Sequence, residues 1–138
     1  MMKKLDDYKH QMTMIQENRE LLLRDLCARL PYGIKASYYG VEEERETWDV
    51  IEGITLDDYV DIGQYSLPIE GIKPYLFPLS SMTEEQSKEY HKLIGGMFGT
   101  SALINFEILE DFFHKNHFDY RGLIEKGLAI DATNLNIY

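Results

Sequence analysis

The stretch Ile34-Lys35-Ala36-Ser37-Tyr38-Tyr39 decides the fold class, because its apolar side chains recur at every second position, the period of a half-buried strand. A charged hairpin tip follows over 40–46, and a second strand is expected over about 47–56. Asp57-Asp58 then offers a tight turn before a third short strand over 59–62. The pattern predicts an antiparallel three-stranded meander, one face of which needs cover.

Apolar side chains at helical spacing precede this predicted meander. An N-terminal helix is expected over 5–30, where leucines form an apolar stripe and Pro31 ends the helix. The stripe is interrupted at 16–18. The sequence therefore leaves open whether 1–18 form a separate or mobile helical extension of the domain.

A group of helices is predicted after the meander. Thr83-Glu84-Glu85-Gln86 is a capping box that begins one helix, which should end between residues 94 and 98 at a glycine-rich stretch. A second helix is expected over about 102–115. A short last helix is expected over 120–126, with Asp119 as its N-terminal cap.

The segment 65–81 joins the two parts and is rich in proline. Pro68, Pro74 and Pro78 lack the N–H group that a sheet ladder needs, so little regular sheet is expected here, with a single helical turn after Pro68. The predicted fold class is α+β: a small antiparallel three-stranded meander covered by an N-terminal helix and a C-terminal helical group. We expect a single domain over 1–138.

Composition argues against several classes of protein. The 138 residues are 44% hydrophobic, enough for a core, and no run approaches the roughly 18 apolar residues of a membrane span. The net charge of −10 disfavours binding to nucleic acid or to an anionic membrane, because both are bound through lysine and arginine. Cys27 is the only cysteine, and the N-terminus lacks the pattern of a signal peptide, so a cytoplasmic location is expected.

Two acidic clusters and a set of aromatic side chains are the candidate interaction residues. Both clusters fall at predicted turns; either they form one negative patch that attracts a basic partner surface, or they are ordinary solvated turn residues, which is the commoner case. Tyrosine and tryptophan are enriched in binding hot spots, so aromatic residues on an uncovered sheet face would supply an interface; packing inside a small domain is the alternative. The predicted interaction residues are Glu42, Glu43, Glu44, Asp57, Asp58, Tyr38, Tyr39, Trp48 and Tyr59.

Histidines near the C-terminal helices suggest an alternative, a metal-dependent or acid–base enzyme. Glu110, His114 and His117 carry groups that commonly bind zinc, but they lack the HExxH spacing. His91 would form an acid–base dyad with Glu110 or Asp111 if their two helices pack face to face. Solvated or helix-terminal histidines are the simpler interpretation. We therefore predict no metal, no cofactor and no catalytic residue.

Three segments carry a family resemblance: residues 26–33 (LCARLPYG), residues 72–85 (IKPYLFPLSSMTEE) and residues 117–129 (HFDYRGLIEKGLA). They resemble a family of small uncharacterised proteins of phages, prophages and other mobile elements of gut Bacteroidales-type bacteria. The resemblance implies a mobile-element accessory protein of the bacterial cytoplasm, and it implies no particular activity.

The function predicted from these observations is a non-enzymatic module that binds a host or phage protein. The acidic turns and the aromatic residues would carry the binding. A homodimer through the aromatic sheet face is one form of this prediction.

Overall fold

The computed structural model describes residues 15–97 and 102–138, which contain three helices and seven strands. The helices are α1 (Gln16–Arg29), α2 (Glu84–Met97) and α3 (Ala102–Lys115). The strands are β1 (Lys35–Gly40), β2 (Arg45–Ile54), β3 (Tyr59–Ile62), β4 (Tyr65–Pro68), β5 (Lys73–Pro78), β6 (Phe118–Asp119) and β7 (Ile130–Asp131). The predicted extension over 1–18 lies mostly outside the described residues.

The strands form one mixed sheet in the order β4-β3-β2-β1-β5-β6, with β7 also paired to β5. The pairs among β1 to β5 are antiparallel, whereas β6 and β7 each pair with β5 in parallel. The α+β class is confirmed. The predicted three-stranded meander is smaller than the observed sheet, because β1, β2 and β3 form only the middle of it.

The proline-rich segment forms two strands, so the expectation of little regular sheet over 65–81 is wrong. Pro68 and Pro78 end β4 and β5, where no further ladder bond is needed. Pro74 lies opposite Ala36 and directly follows Lys73, which pairs with Ser37. The backbone groups of successive strand residues point in opposite directions, so an N–H at Pro74 would point away from β1, and its absence leaves the pairing intact. The predicted helical turn is present as a 3₁₀ turn over Ile69–Gly71.

One face of the sheet, called here the inner face, packs against α1. Leu22 and Leu26 of the helix belong to one buried cluster with strand residues of this face. From Leu22 onward, the predicted apolar stripe of the helix therefore packs against the sheet, as expected. The strand residues in this cluster are Ala36, Tyr38, Ile51, Val60, Ile62 and Leu76.

Helices α2 and α3 pack against each other and build a second apolar cluster around Phe112, Phe113 and Phe118. The capping box is confirmed: the backbone N–H of Gln86 donates to the Thr83 hydroxyl at 3.1 Å, and the N–H of Thr83 donates to the Gln86 side chain at 2.9 Å. Within the described residues, each helix is too short or too polar to cross a bilayer.

The predicted last helix over 120–126 is wrong, although Asp119 acts as a cap. Its carboxylate accepts the backbone N–H groups of Leu123 and Ile124, both at 2.9 Å. Gly122, inside the predicted range, has a φ angle of +75°, which a right-handed helix does not contain. The segment therefore forms successive turns that lead into β7.

Candidate functional site

The outer face of the β1–β2 hairpin holds most of the exposed aromatic surface of the sheet. Residues opposite each other in an antiparallel pair share a face, so Tyr39 lies beside Glu46, and Ser37 beside Trp48. Tyr39 is 52% exposed and Trp48 is 44% exposed. Val50, on the same face of β2, is 36% exposed. Two of the predicted interaction residues, Tyr39 and Trp48, therefore lie on one accessible surface.

A lysine joins this surface to the last residue of the chain. Lys35 Nζ lies 5.2 Å from the ring centroid of Trp48 and 5.4 Å from that of Tyr138. Such cation–π contacts hold aromatic rings in place. The Lys35 ammonium also donates to the backbone oxygen of Ile137 at 2.7 Å. The aromatic surface is therefore ordered by contacts between segments that are distant in the sequence.

Tyr38 is not part of the exposed surface. It lies on the inner face with only 5% of its surface exposed, and its ring meets that of Tyr65 edge-on at 5.7 Å. Burial, followed by the charge of Glu43, raises the pKa of the Tyr38 hydroxyl. The prediction that Tyr38 is available to a partner is therefore wrong, since neighbouring residues of a strand point to opposite faces. Tyr59, on β3, is 42% exposed.

The two acidic turns do not form one patch. The turn with Glu42, Glu43 and Glu44 follows the Gly40–Arg45 pair at one end of β2, and Asp57-Asp58 follows Ile54 at the other end. A strand of ten residues is about 30 Å long. Consecutive turns of a meander lie at opposite ends of its strands, and this rule separates the two clusters.

Each acidic turn has its own contacts. Glu42 accepts from the Gln64 amide at 2.8 Å, and Glu43 accepts from the Tyr65 hydroxyl at 2.8 Å. At the other end, Arg19 donates to Asp58 at 2.9 Å and to Glu70 at 2.5 Å. Glu42, Glu43 and Glu44 have no cation within 4 Å among the residues that the structure describes. The charge of Asp58 is balanced by Arg19, whereas the Glu42–Glu44 turn gives its end of the sheet a negative charge.

His114 and His117 are held in separate environments. The Nε2 atom of His114 lies 2.7 Å from the Tyr120 hydroxyl, and the imidazole of His117 stacks on the ring of Tyr138 with centroids 3.7 Å apart. No group of three His, Cys, Asp or Glu side chains in the described residues is arranged to hold a metal ion. The alternative site of Glu110, His114 and His117 therefore does not converge.

Burial lowers the pKa of both histidines. The pKa of His114 falls because its ring is removed from water and, second, because Arg29 is near. The pKa of His117 falls to about 4 for the same two reasons, with Lys35 as a further cause. The Nδ1 atom of His117 is buried without a hydrogen-bond partner in the described part of the chain. Both rings are therefore neutral near pH 7.

His91 is engaged within its own helix. Its Nδ1 atom lies 2.7 Å from the backbone oxygen of Ser87, and the side chain is exposed. Asp111 instead accepts a hydrogen bond from the Tyr32 hydroxyl, which raises the pKa of that hydroxyl. The contacts of these side chains give no support to an acid–base dyad between His91 and Asp111.

A buried charge network lies between α1 and the turns after α3, and the sequence analysis missed it. Asp25 and Arg29 are both 0% exposed and form an ion pair at 2.7 Å. Arg121 donates to the other oxygen of Asp25 at 3.1 Å, and Arg29 also donates to the backbone oxygen of Phe118 at 2.7 Å. The signal was an Asp–Arg pair four residues apart on the side of a helix that carries Leu22. Both carboxylate oxygens of Asp25 are paired, whereas the Nη1 atom of Arg29 is buried without a hydrogen-bond partner among the described residues.

A groove of about 520 Å³ lies beside the exposed aromatic surface. It is bounded by Ser37, Tyr39 and Glu46 of the β1–β2 hairpin and by Glu70, Gly71 and Lys73 at the start of β5. The pairing of β1 with β5 extends only from Ala36–Pro74 to Ser37–Lys73. Because β5 begins at Lys73, β1 has no paired strand beyond Ser37, and the groove lies beside this unpaired part of β1.

Comparison of the chain with protein-family models, with curated proteins and with solved structures found no match.

Proposed function

We propose that this chain is a non-enzymatic protein-binding module that docks onto a host or phage protein through the outer face of its β1–β2 hairpin. The observation that carries the proposal is the exposed surface of Tyr39, Trp48 and Val50 on one face of two neighbouring strands. Large amphipathic aromatic side chains supply most of the binding energy of protein interfaces.

Charge favours a partner with a basic surface. The net charge is −10, and the Glu42–Glu44 turn and Glu46 lie at the same end of the hairpin without a described cationic partner. Opposite charges at the rim of an interface accelerate association and set its orientation. A basic partner would therefore meet an apolar centre around Trp48 and an acidic rim.

The origin and location of the protein are proposals from the sequence. The resemblance to phage and mobile-element proteins favours an accessory role in the cytoplasm of a bacterial host. The alternative, an enzyme that uses the histidines, has less support because His114 and His117 are engaged by Tyr120 and Tyr138. Elemental analysis of the purified protein tests this alternative: a stoichiometric metal ion removed by chelator with loss of stability would favour it.

Capture of a partner from bacterial lysate tests the proposal when variants are compared. Trp48→Ala should reduce capture at least tenfold, because it removes the largest exposed ring of the surface. Phe106→Ala is the matched control, since Phe106 is 51% exposed but lies on α3. Equal capture by wild type, Trp48→Ala and Phe106→Ala would refute the assignment of the outer face.

A charge-reversal series tests the acidic rim. The triple change of Glu42, Glu43 and Glu44 to lysine should weaken capture, and the loss should shrink at high salt because exposed charges are screened. The matched control reverses three exposed glutamates elsewhere, namely Glu20, Glu107 and Glu125. An equal effect of the two triple variants would mean that only net charge matters and would remove the rim from the proposal.

A further inference from the structure

We propose that the open edge of β1 at Tyr39 binds an extended basic peptide segment, which adds to the sheet as a short strand within the groove. The inference rests on the proposed function and names the form of the partner: a peptide backbone bound edge-on, with lysine or arginine side chains. It is carried by the direction of the backbone groups in β1, by the groove and by the charges around it.

The direction of the backbone groups in β1 follows from one hydrogen bond. The N–H of Ile51 donates to the oxygen of Ile34 at 2.9 Å. In an antiparallel pair, hydrogen-bonded positions alternate, so Ala36 and Tyr38 also face β2. Lys35, Ser37 and Tyr39 must then direct their N–H and C=O groups to the opposite edge, where β5 lies.

Two of these three outward positions are satisfied. Ser37 pairs with Lys73 of β5. The N–H of Lys35 donates to the Tyr138 hydroxyl at 2.9 Å, and that hydroxyl donates to the backbone oxygen of Tyr75 at 2.9 Å. Tyr39 is the next outward position, and no described backbone group is paired with it at this edge. Its donor and acceptor open into the groove, as they do in proteins that bind peptides by strand addition.

The geometry also sets the direction of the bound peptide. The strand β5 runs antiparallel to β1, and the chain enters it through Gly71 and the extended residue Ile72, so a peptide in line with β5 ends beside these two residues. Its N-terminal part then lies beside Tyr39 and Glu46 and near the Glu42–Glu44 turn. Acidic side chains at that end favour basic residues in the N-terminal part of the peptide. The Lys73 ammonium disfavours a cation at the C-terminal part.

Isothermal titration with a synthetic peptide tests the inference on the whole protein. The probe is the acetylated and amidated hexapeptide KVKVTV, and the comparison peptide EVEVTV should bind at least tenfold more weakly. Two further forms of KVKVTV carry N-methyl groups on the backbone. One is methylated at the three valines and the other at the remaining three residues, so each form lacks the N–H donors of one edge of the peptide strand. One of the two should lose binding at least tenfold, because only one set of N–H groups faces β1.

Tyr39→Pro removes the protein's own donor. A proline is tolerated where the N–H faces an unpaired edge, so the β1–β2 ladder remains intact. Tyr39→Ala is the matched control, because it removes the same ring and keeps the N–H. We expect the proline variant to bind the hexapeptide about fivefold to tenfold more weakly than the alanine variant. Thermal unfolding of both variants checks that they are folded.

The outcomes separate this inference from the proposed function. Equal binding of the parent peptide and both N-methylated forms overturns strand addition. A dimer in sedimentation that Tyr39→Pro dissociates also overturns it, because a second copy would then occupy the edge. If Trp48→Ala reduces partner capture at least tenfold, as predicted above, the outer-face proposal survives either result.

Discussion

His117 should make the protein less stable in acid, and the structure allows the size of the effect to be worked out. The pKa of His117 is lowered from 6.5 to about 4 by burial, with Arg29 and Lys35 as further causes. The unfolded chain therefore binds a proton at a pH where the folded chain does not. The stability is fully present above about pH 6.5 and is lost as the pH falls through about 4.

The difference in pKa, at 1.36 kcal/mol for each pH unit, corresponds to about 3 kcal/mol. Because the ring is only partly shielded from water, we expect about 2 kcal/mol. His117→Asn is the informative variant. His117 has a φ of +60°, and asparagine adopts this left-handed conformation more readily than most residues, so the backbone is retained.

Urea unfolding of the wild type and of His117→Asn between pH 7.5 and 4 measures the effect. The variant starts at a lower stability, because it loses the stacking on Tyr138. The wild type should lose about 2 kcal/mol more than the variant over this range. Parallel pH profiles of the two proteins would refute the reasoning, since the other titrating groups are common to both.

Three further predictions concern single contacts. Asp25→Asn should lower the free energy of unfolding by about 3 kcal/mol, because it leaves Arg29 and Arg121 without their buried carboxylate. A loss below about 1 kcal/mol in urea unfolding would contradict this prediction. Tyr138→Phe should cost about 1 kcal/mol and accelerate hydrogen exchange of the Lys35 amide, whose unchanged protection would show that the hydroxyl is dispensable. Thr83→Ala should cost about 1 kcal/mol in thermal or urea unfolding through the lost cap, whereas Thr83→Ser should be close to wild type.

Local patterns predicted the local elements of this fold. The period-two stretch of β1 and the capping box of α2 depend on residues a few positions apart, and both are present. The C-terminal end of α1 at Arg29 is close to the predicted residue 30, and α3 has its predicted bounds of about 102–115, whereas the predicted start of the first helix lies outside the described residues. Such elements are set by neighbours in the sequence, so the sequence alone is sufficient for them.

Non-local pairing could not be predicted in the same way. Whether Pro74 can belong to a strand depends on which edge of β5 faces β1. The parallel partners of β5, which are β6 and β7, come from segments 40 or more residues away in the sequence. For the candidate site, the sequence assigned Tyr39 and Trp48 to the sheet, and both lie on its outer face. The period of two in β1 also put Tyr38 and Tyr39 on opposite faces. It could not say that Tyr38 would be the buried member of the pair, because that depends on the position of α1.

The Tyr138 hydroxyl between β1 and β5 bears on folding during synthesis. Lys35 and Tyr138 are separated by 103 positions, so the gap between these strands is filled only after Tyr138 has been synthesised and has left the ribosome. Until then β5 can already pair with Ala36 and Ser37, but the backbone of Lys35 at this edge lacks its Tyr138 partner. A chaperone that binds extended backbone would have access to this edge in the nascent chain, before Tyr138 covers it.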